Sequence, residues 1–248
     1  MYDWPEVRAA TDTLWSLIRE RLRAAAFPAP EVLSRPDNLW LHWREPALLL
    51  SQTCGLPYAA QLAGAVSLVG APSYDLPGCP PGFYRSEILV RADDPVADVD
   101  ALKGGRFARN GRESQSGHAA FAAAFGPPEA YFSEIVEAGA HRASIRAVAE
   151  GRADAASVDA VSWRLARAHE PASARLRVLA STPPTPGLPL ITGKRSSSEV
   201  QEIAKAVDAA IAELPDACRA TLFLNGFEYL APADYAPLAA GWPSTAEA

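Results

Sequence analysis

The spacing of apolar positions changes along the chain from a helical period to a strand period and back. One face of a helix predicted over residues 5–26 carries Val7, Leu14, Leu17, Ile18 and Leu22. A second amphipathic helix is predicted over residues 198–214. Short apolar runs between them predict strands at 38–43, 65–70, 83–94, 106–110, 131–138, 153–160, 175–182 and 188–193. Because predicted helices separate most of these runs, the pattern indicates an α/β fold with mainly parallel sheets.

Two stretches of the chain have the composition of a joint between lobes. The first lies around residues 90–95, and the second is the proline-rich STPPTPGLP at 181–189. A chain that leaves one lobe at the first joint returns at the second. The sequence therefore predicts residues 1–90 with 186–248 as lobe one and residues 91–185 as lobe two. Two crossing strands join them, and a cleft for a ligand separates them.

Composition and charge narrow the class of protein. Apolar residues make up 49% of the 248 and charged residues 21%, which is usual for soluble globular chains. The net charge of −6, without a basic run, argues against partners such as nucleic acid or an anionic membrane surface. No apolar stretch approaches the ~20 residues that span a bilayer, so we expect no direct membrane insertion. The N-terminus lacks the pattern of a secretory signal, which predicts a cytoplasmic protein as the chain stands, or a periplasmic one if a precursor segment is missing.

Cysteine and histidine spacing gives no sign of a metal site. Cys54 and Cys79 lie in loop-like stretches and are candidates for a disulfide in an oxidising compartment, although three cysteines without a signal are more often free thiols. The four histidines show no spacing of the H-E-x-x-H kind. We therefore expect neither a metal nor a cofactor.

The stretch NGRESQSGHAAF, residues 110–121, places a polar cluster at the start of a predicted helix. A helix N-terminus leaves about four N–H donors without partners and carries roughly half a positive charge, so it stabilises an oxyanion. Ser114 and Ser116 add hydroxyl donors, Gln115 adds an amide, and Gly117 allows close approach of a ligand. The alternative is an ordinary helix cap made by one of the serines.

Several segments together resemble one family of proteins. LSQTCGLPY, VGAPSYDLPGC, GFYRSEILVR, NGRESQSGH, GAHRASIRAVAEGRADAASVDAVSW and STPPTPGLPLIT occur in this order. Their order and spacing over residues 40–193 resemble the phosphate/phosphonate substrate-binding proteins of ABC transporters, a branch of the type 2 periplasmic-binding-protein fold. The resemblance implies two α/β lobes, a small anionic ligand clamped in the cleft, no chemistry on that ligand, and an ABC transporter permease as partner.

The resemblance also implies which residues contact the ligand. It places the phosphonate or phosphate oxygens at the turn from Ser114 to Gly117, with His141 donating from the start of a second helix. Asp159 follows a predicted strand, where it would bind an amine or hydroxyl of the ligand, fix His141, or cap a helix. Tyr84 matches a ligand-binding tyrosine of the family. Tyr74 and Trp43 complete the list as aromatic walls of the cleft, with a place in the core as the alternative for each.

Other functions stay open at this point. Cys54 and the serines are the available nucleophiles for an enzyme, but SQSG is not the G-x-S-x-G elbow and no residue orients Cys54. A stand-alone cytoplasmic sensor or carrier of small molecules is the main alternative to a transport protein. We expect a monomer in either case.

Overall fold

The computed structural model describes residues 2–243. In chain order its helices are α1 (Arg8–Ala24), α2 (Leu39–Trp43), α3 (Gly55–Pro57), α4 (Ala120–Phe125), α5 (Pro128–Tyr131), α6 (His141–Ala149), α7 (Ala160–His169), α8 (Ser197–Glu213), α9 (Asp216–Leu222) and α10 (Pro232–Tyr235). Its strands are β1 (Ser51–Gln52), β2 (Val66–Tyr74), β3 (Phe83–Tyr84), β4 (Ser86–Arg91), β5 (Arg106–Arg109), β6 (Glu134–Glu137), β7 (Ala155–Asp159), β8 (Leu176–Ser181), β9 (Thr185–Pro186), β10 (Leu190–Gly193) and β11 (Leu224–Glu228). A π-helical turn follows α3 (Tyr58–Leu62) and another precedes α4 (Gln115–Ala119), while 3-10 turns cover Pro5–Val7, Asp100–Leu102, Pro171–Arg175 and Ala236–Gly241.

The chain divides into two compact units. Among the described residues, unit 1 comprises 2–83 and 186–237, and unit 2 comprises 84–185 and 238–243. The first boundary lies earlier than the predicted 90/91, because β4 pairs with β7 and β8 and therefore belongs to the sheet of unit 2. Residues 238–243 also group with unit 2, although the sequence placed them in lobe one.

Unit 1 is a four-stranded sheet covered by two long helices. The strand order is β1-β10-β2-β11, and every neighbouring pair is antiparallel. α1 and α8 pack together on this sheet and contribute much of the core, including Trp15, Ile18, Leu22, Ile203, Val207 and Ile211. α8 begins at a capping box in which Ser196 and Glu199 satisfy each other's backbone N–H groups. Both long helices agree with the apolar spacing of the sequence.

Unit 2 contains the strands that are parallel. Its sheet has the order β6-β5-β7-β4-β8, in which β5 runs parallel to β6 and β7. β4 runs antiparallel to β7 and β8, so the expectation of mainly parallel sheets is wrong for this chain. The chain enters unit 2 along β4 and leaves it after β8, and these two strands are neighbours in the sheet. The aromatic core of the unit includes Phe107 stacked on Phe132 with ring centroids 4.8 Å apart.

One predicted strand is a helix. Residues 38–43 alternate in polarity, but Asn38 accepts a hydrogen bond from the backbone N–H of Leu41 at 3.0 Å and thereby caps α2. The indole of Trp43 donates to the carbonyl of Gln52 at 3.2 Å, which holds the end of this helix against β1. After this helix, an irregular segment over residues 44–50 leads into β1. In runs this short, local capping decides between helix and strand.

Two further properties concern the whole described chain. Within residues 2–243, no helix combines the length and the apolar composition that crossing a bilayer requires. Cys54, Cys79 and Cys218 form no disulfide within these residues.

Candidate functional site

Three helices of unit 2 begin along one edge of its sheet. β5, β6 and β7 are parallel, so their carboxyl ends meet at the same edge. After each of them the chain starts a helix, at Gln115, His141 and Ala160 respectively. Each helix start presents first-turn N–H groups and the positive end of a helix dipole. The topology therefore concentrates donors for an anion at this edge.

The turn from Ser114 to Gly117, here called the serine turn, starts the first of these helices. The hydroxyl of Ser114 accepts a hydrogen bond from the N–H of Gly117 at 3.0 Å, so Ser114 is the cap. The N–H groups of His118 and Ala119 both donate to the carbonyl of Ser114 at 3.1 Å, which gives the first turn its wider π-helical form. π-Helical turns occur frequently at functional sites. Gln115 and Ser116 are buried in this turn.

Ser116, His141 and Asp159 form a contact between the three helix starts. The hydroxyl of Ser116 lies 2.8 Å from Nε2 of His141, and Oδ2 of Asp159 lies 3.1 Å from the same nitrogen. The other carboxylate oxygen of Asp159 accepts from the N–H of Ser162 at 2.8 Å and caps α7. Both oxygens of Asp159 are thus occupied within the protein. Asp159 therefore contacts His141 and caps α7, which are two of the three roles that the sequence left open for it.

Burial determines the charge of His141. Desolvation lowers the pKa of His141 below its ordinary value near 6.5, and the nearby charge of Asp159 opposes this effect without reversing it. The ring is therefore neutral at pH 7. Nε2 carries the proton if it donates to Asp159, and Nδ1 is then an acceptor. That Nδ1 is buried and has no hydrogen-bond partner within residues 2–243.

A buried arginine, Arg109, contacts the residue that follows the serine turn. Arg109, the last residue of β5, is only 3% exposed. Its guanidinium donates to Glu129 at 2.5 Å, to Glu137 at 2.6 Å and to Nδ1 of His118 at 2.9 Å. Burial and the adjacent positive charge lower the pKa of His118, so its ring is neutral and Nδ1 can accept this bond. Arg109 thereby links β5, β6, α5 and the π-helical turn that contains His118.

Two buried serines also contact the serine turn. The hydroxyls of Ser86 and Ser157 donate to the carbonyl of Ser116 at 3.0 and 2.6 Å. Neither these serines nor Arg109 were predicted from the sequence. Ser157 carries a weak signal, because it lies two positions before Asp159 on the same face of β7. Ser86 and Arg109 carry none, since their partners are distant in sequence.

The aromatic candidates are divided between the two units. Trp43 and Tyr74 belong to unit 1, where Trp43 is buried against β1 and Tyr74 packs edge-to-face on Tyr2 at 5.3 Å. Tyr84 is buried in β3, at the start of unit 2. Tyr74 also lines a cavity of about 580 Å³ inside unit 1, together with residues such as Trp15, Leu33, Leu49 and Val207. None of Ser116, His141 and Asp159 lines that cavity.

Within the described residues, no group of three or more histidine, cysteine, aspartate or glutamate side chains could hold a metal ion. The donor set of the serine turn, made of hydroxyl and N–H groups with one imidazole, suits an anion better than a cation.

Solved structures share this architecture. A protein from Xanthomonas citri bound to chloride ion has a TM-score of 0.71 at 17% identity, with 97% of this chain and 94% of that chain covered. The binding protein component of an ABC phosphonate transporter from Pseudomonas aeruginosa has a TM-score of 0.69 at 16% identity, with 91% and 78% covered. PhnD1 from Prochlorococcus marinus, solved in complex with methylphosphonate, has a TM-score of 0.68 at 16% identity, with 94% and 92% covered. These likenesses establish the two-lobed α/β fold of periplasmic binding proteins, as the sequence predicted.

A comparison with protein families defines the class as solute-binding proteins. The family model "ABC transporter, phosphonate, periplasmic substrate-binding protein" matches residues 51–236. The chain belongs to this family, the substrate-binding proteins of ABC phosphonate transporters, which confirms the resemblance seen in the sequence. A search of the curated proteins finds no match.

Proposed function

We propose that unit 2 binds the oxyanion of a small phosphonate or phosphate-like ligand at the serine turn, where the neutral imidazole of His141 contacts the hydroxyl of Ser116. The observation that carries this proposal is the convergence of three helix starts with Ser116 and His141 in hydrogen-bond contact. Oxyanions are stabilised by first-turn N–H groups, by hydroxyl donors and by the positive ends of helix dipoles, and all three are present at this edge. Asp159 holds His141 in place rather than contacting the oxyanion, since the negative charges of its carboxylate and of the oxyanion would repel.

Methylphosphonate is the first ligand to test, because it is the ligand of PhnD1. Inorganic phosphate, phosphate esters and sulfonates present similar oxygens, so the helix starts alone do not choose among them. Tyr84, Tyr74 and Trp43 stay candidates for the part of the ligand beyond its anionic group. An ABC-type permease as partner and a periplasmic location follow from the family. We propose both for this chain. We also propose a monomer, because the serine turn is formed by residues of a single chain.

The same geometry argues against catalysis by Ser116. A serine–histidine–aspartate relay uses one imidazole nitrogen for the serine and the other for the carboxylate. Here Ser116 and Asp159 both lie at Nε2. A nitrogen that donates its proton to Asp159 cannot also accept the proton of Ser116. Capture of the ligand without chemical change is therefore the proposed activity, and a stand-alone sensor or carrier would use the same site.

A thermal-shift screen of the purified chain against methylphosphonate, phosphate, phosphate esters and sulfonates tests the proposal. A ligand that binds only the folded state raises stability by RT ln(1 + [L]/Kd), which is about 2.7 kcal/mol at a hundredfold excess over Kd. We expect a shift with at least one phosphonate and recovery of that compound unchanged by ³¹P NMR. Conversion of the compound would indicate an enzyme. The absence of any shift would contradict the proposed ligand class.

A further inference from the structure

The peptide group between Ser116 and Gly117 is held at both ends by side chains. Its N–H, which belongs to Gly117, donates to the hydroxyl of Ser114 at 3.0 Å. Its carbonyl, which belongs to Ser116, accepts from Ser157 at 2.6 Å and from Ser86 at 3.0 Å. A carbonyl oxygen has two lone pairs, and these two hydroxyls are enough to use both. This peptide group therefore has little freedom to rotate.

The two donors come from strands rather than from the helix itself. Ser86 begins β4 and Ser157 lies within β7, and they are 1% and 0% exposed. β4 and β7 pair in a register that sets Ser86 opposite Asp159 and Ile88 opposite Ser157. Ser86 is itself fixed, because its N–H donates to Thr182 at 3.0 Å and its carbonyl accepts from the N–H of Thr182 at 2.9 Å. The sheet thus dictates the orientation of the helix start.

Rotation of this peptide group would move the groups that face a ligand. Ser116 supplies both the carbonyl that the two serines hold and the hydroxyl that contacts His141. The first turn is also π-helical, and a change to ordinary α-helical hydrogen bonding would turn the N–H groups away from their present directions. Without the two strand hydroxyls, the carbonyl of Ser116 would be buried with a lone pair unsatisfied, which favours such a change.

We propose that Ser86 and Ser157 are positioning residues of the anion site, which set ligand affinity by fixing the Ser116–Gly117 peptide group. They act through this peptide group and do not touch the ligand. The inference rests on the proposed function, since affinity at the serine turn is what these residues would control.

The test compares Ser86→Ala, Ser157→Ala and the double variant with wild type. One hydrogen bond contributes about a factor of five to an equilibrium, so each single variant should bind methylphosphonate or phosphate about fivefold more weakly, and the pair about 25-fold. Thr192→Val is the matched control. Thr192 is also fully buried and donates to a backbone carbonyl, that of Leu48 at 3.0 Å, but it lies in unit 1. Its replacement should lower the denaturation midpoint comparably and leave Kd unchanged.

Hydrogen exchange supplies a readout that needs no ligand. In the double variant the amides of residues 116–120 should exchange faster than in wild type, while those of α6 and α7 should not. Unchanged Kd in the folded double variant would overturn the inference, as would equal loss of affinity in Thr192→Val. If wild type binds neither probe, the proposed function fails by itself, and unchanged exchange at residues 116–120 would then refute the positioning role separately.

Discussion

Ser116 and His141 are hydrogen-bonded at 2.8 Å although they are 25 positions apart and begin helices that follow different strands. The contact arises because β5 and β6 are parallel neighbours, so the helices after them start side by side. Neither helix start alone defines an anion site. Joined, they bring a hydroxyl and an imidazole together where two helices begin, and this arrangement supports the proposed anion site over an ordinary helix cap.

The two serines of the serine turn should differ in what they contribute. Ser114 caps the helix through Gly117, so Ser114→Ala should lower the free energy of unfolding by about 1 kcal/mol. Ser116 makes no capping bond within its own helix start and faces His141. A hydrogen bond to a charged acceptor contributes about 1.5–3 kcal/mol, so Ser116→Ala should weaken ligand binding by roughly ten- to a hundredfold.

Calorimetric Kd and urea midpoints of the two variants separate these effects. If Ser116→Ala loses only stability and keeps its Kd, the serine turn is a cap and the proposed site is elsewhere. The double variant should combine both losses, provided that it stays folded.

His141 should make the stability of unit 2 depend on pH. Because its pKa is lowered in the folded state, the unfolded chain binds a proton more readily. The stabilisation is therefore complete above pH ~6.5 and is lost as the pH falls below that value, with a slope of up to about 1.4 kcal/mol per pH unit. His118 acts in the same direction.

Urea unfolding at pH 7.5, 6.5 and 5.5 measures this dependence. His141→Asn should unfold with a shallower pH dependence than wild type. An equal slope in His141→Asn and wild type would show that the ring does not titrate as its burial requires.

Gly117 should resist replacement for a steric reason. A Cβ on this residue would lie 2.9 Å from the hydroxyl of Ser114 and 2.9 Å from Oδ1 of Asn110. Gly117→Ala must therefore displace the capping serine, and we expect at least the ~1 kcal/mol of the lost cap together with weaker ligand binding. Gly64→Ala is the control, since a Cβ there would meet nothing within 4 Å. Wild-type stability and affinity in Gly117→Ala would mean that the turn is looser than it is in this structure.

Local signals explain why part of the site could be predicted from the sequence. Ser114 and Ser116 are recognisable because a polar residue before an apolar helical run marks a helix start wherever the chain folds, whereas His141 was implied by the family resemblance. α1 and α8 were likewise predicted from apolar spacing over many turns. α2 was missed because five residues contain too few turns for a period to be measured.

Long-range pairing explains what the sequence could not provide. The antiparallel course of β4 depends on which strands become its neighbours, and nothing within SEILVR indicates this. Ser86 looks like any strand residue until β7 and the serine turn are placed beside it. Arg109 reads as a surface arginine at the end of a short strand, whereas the partners that allow its burial lie on α5, β6 and the helix after the serine turn.

Arg109 leads to the last prediction, which concerns the support of the serine turn. Its side chain is 4% exposed and is neutralised by Glu129 and Glu137, whose side chains are 34% and 54% exposed. Removing one partner of a fully buried ion pair costs about 3–5 kcal/mol, because the other charge stays buried. Here the two carboxylates can regain water, so Arg109→Gln should cost less, about 2 kcal/mol. Arg109→Lys keeps the charge but not the planar fork that reaches both carboxylates and His118, and should recover only part of the loss.

Arg106 provides the matched control on the same strand. Its partner Asp154 lies at 2.9 Å, but the side chain of Arg106 is 37% exposed, and ion pairs that water can reach contribute little to stability. Urea unfolding should therefore order the proteins as wild type, Arg106→Gln, Arg109→Lys and Arg109→Gln in decreasing stability. Equal stability of the two glutamine variants would show that the buried arginine does not support the site.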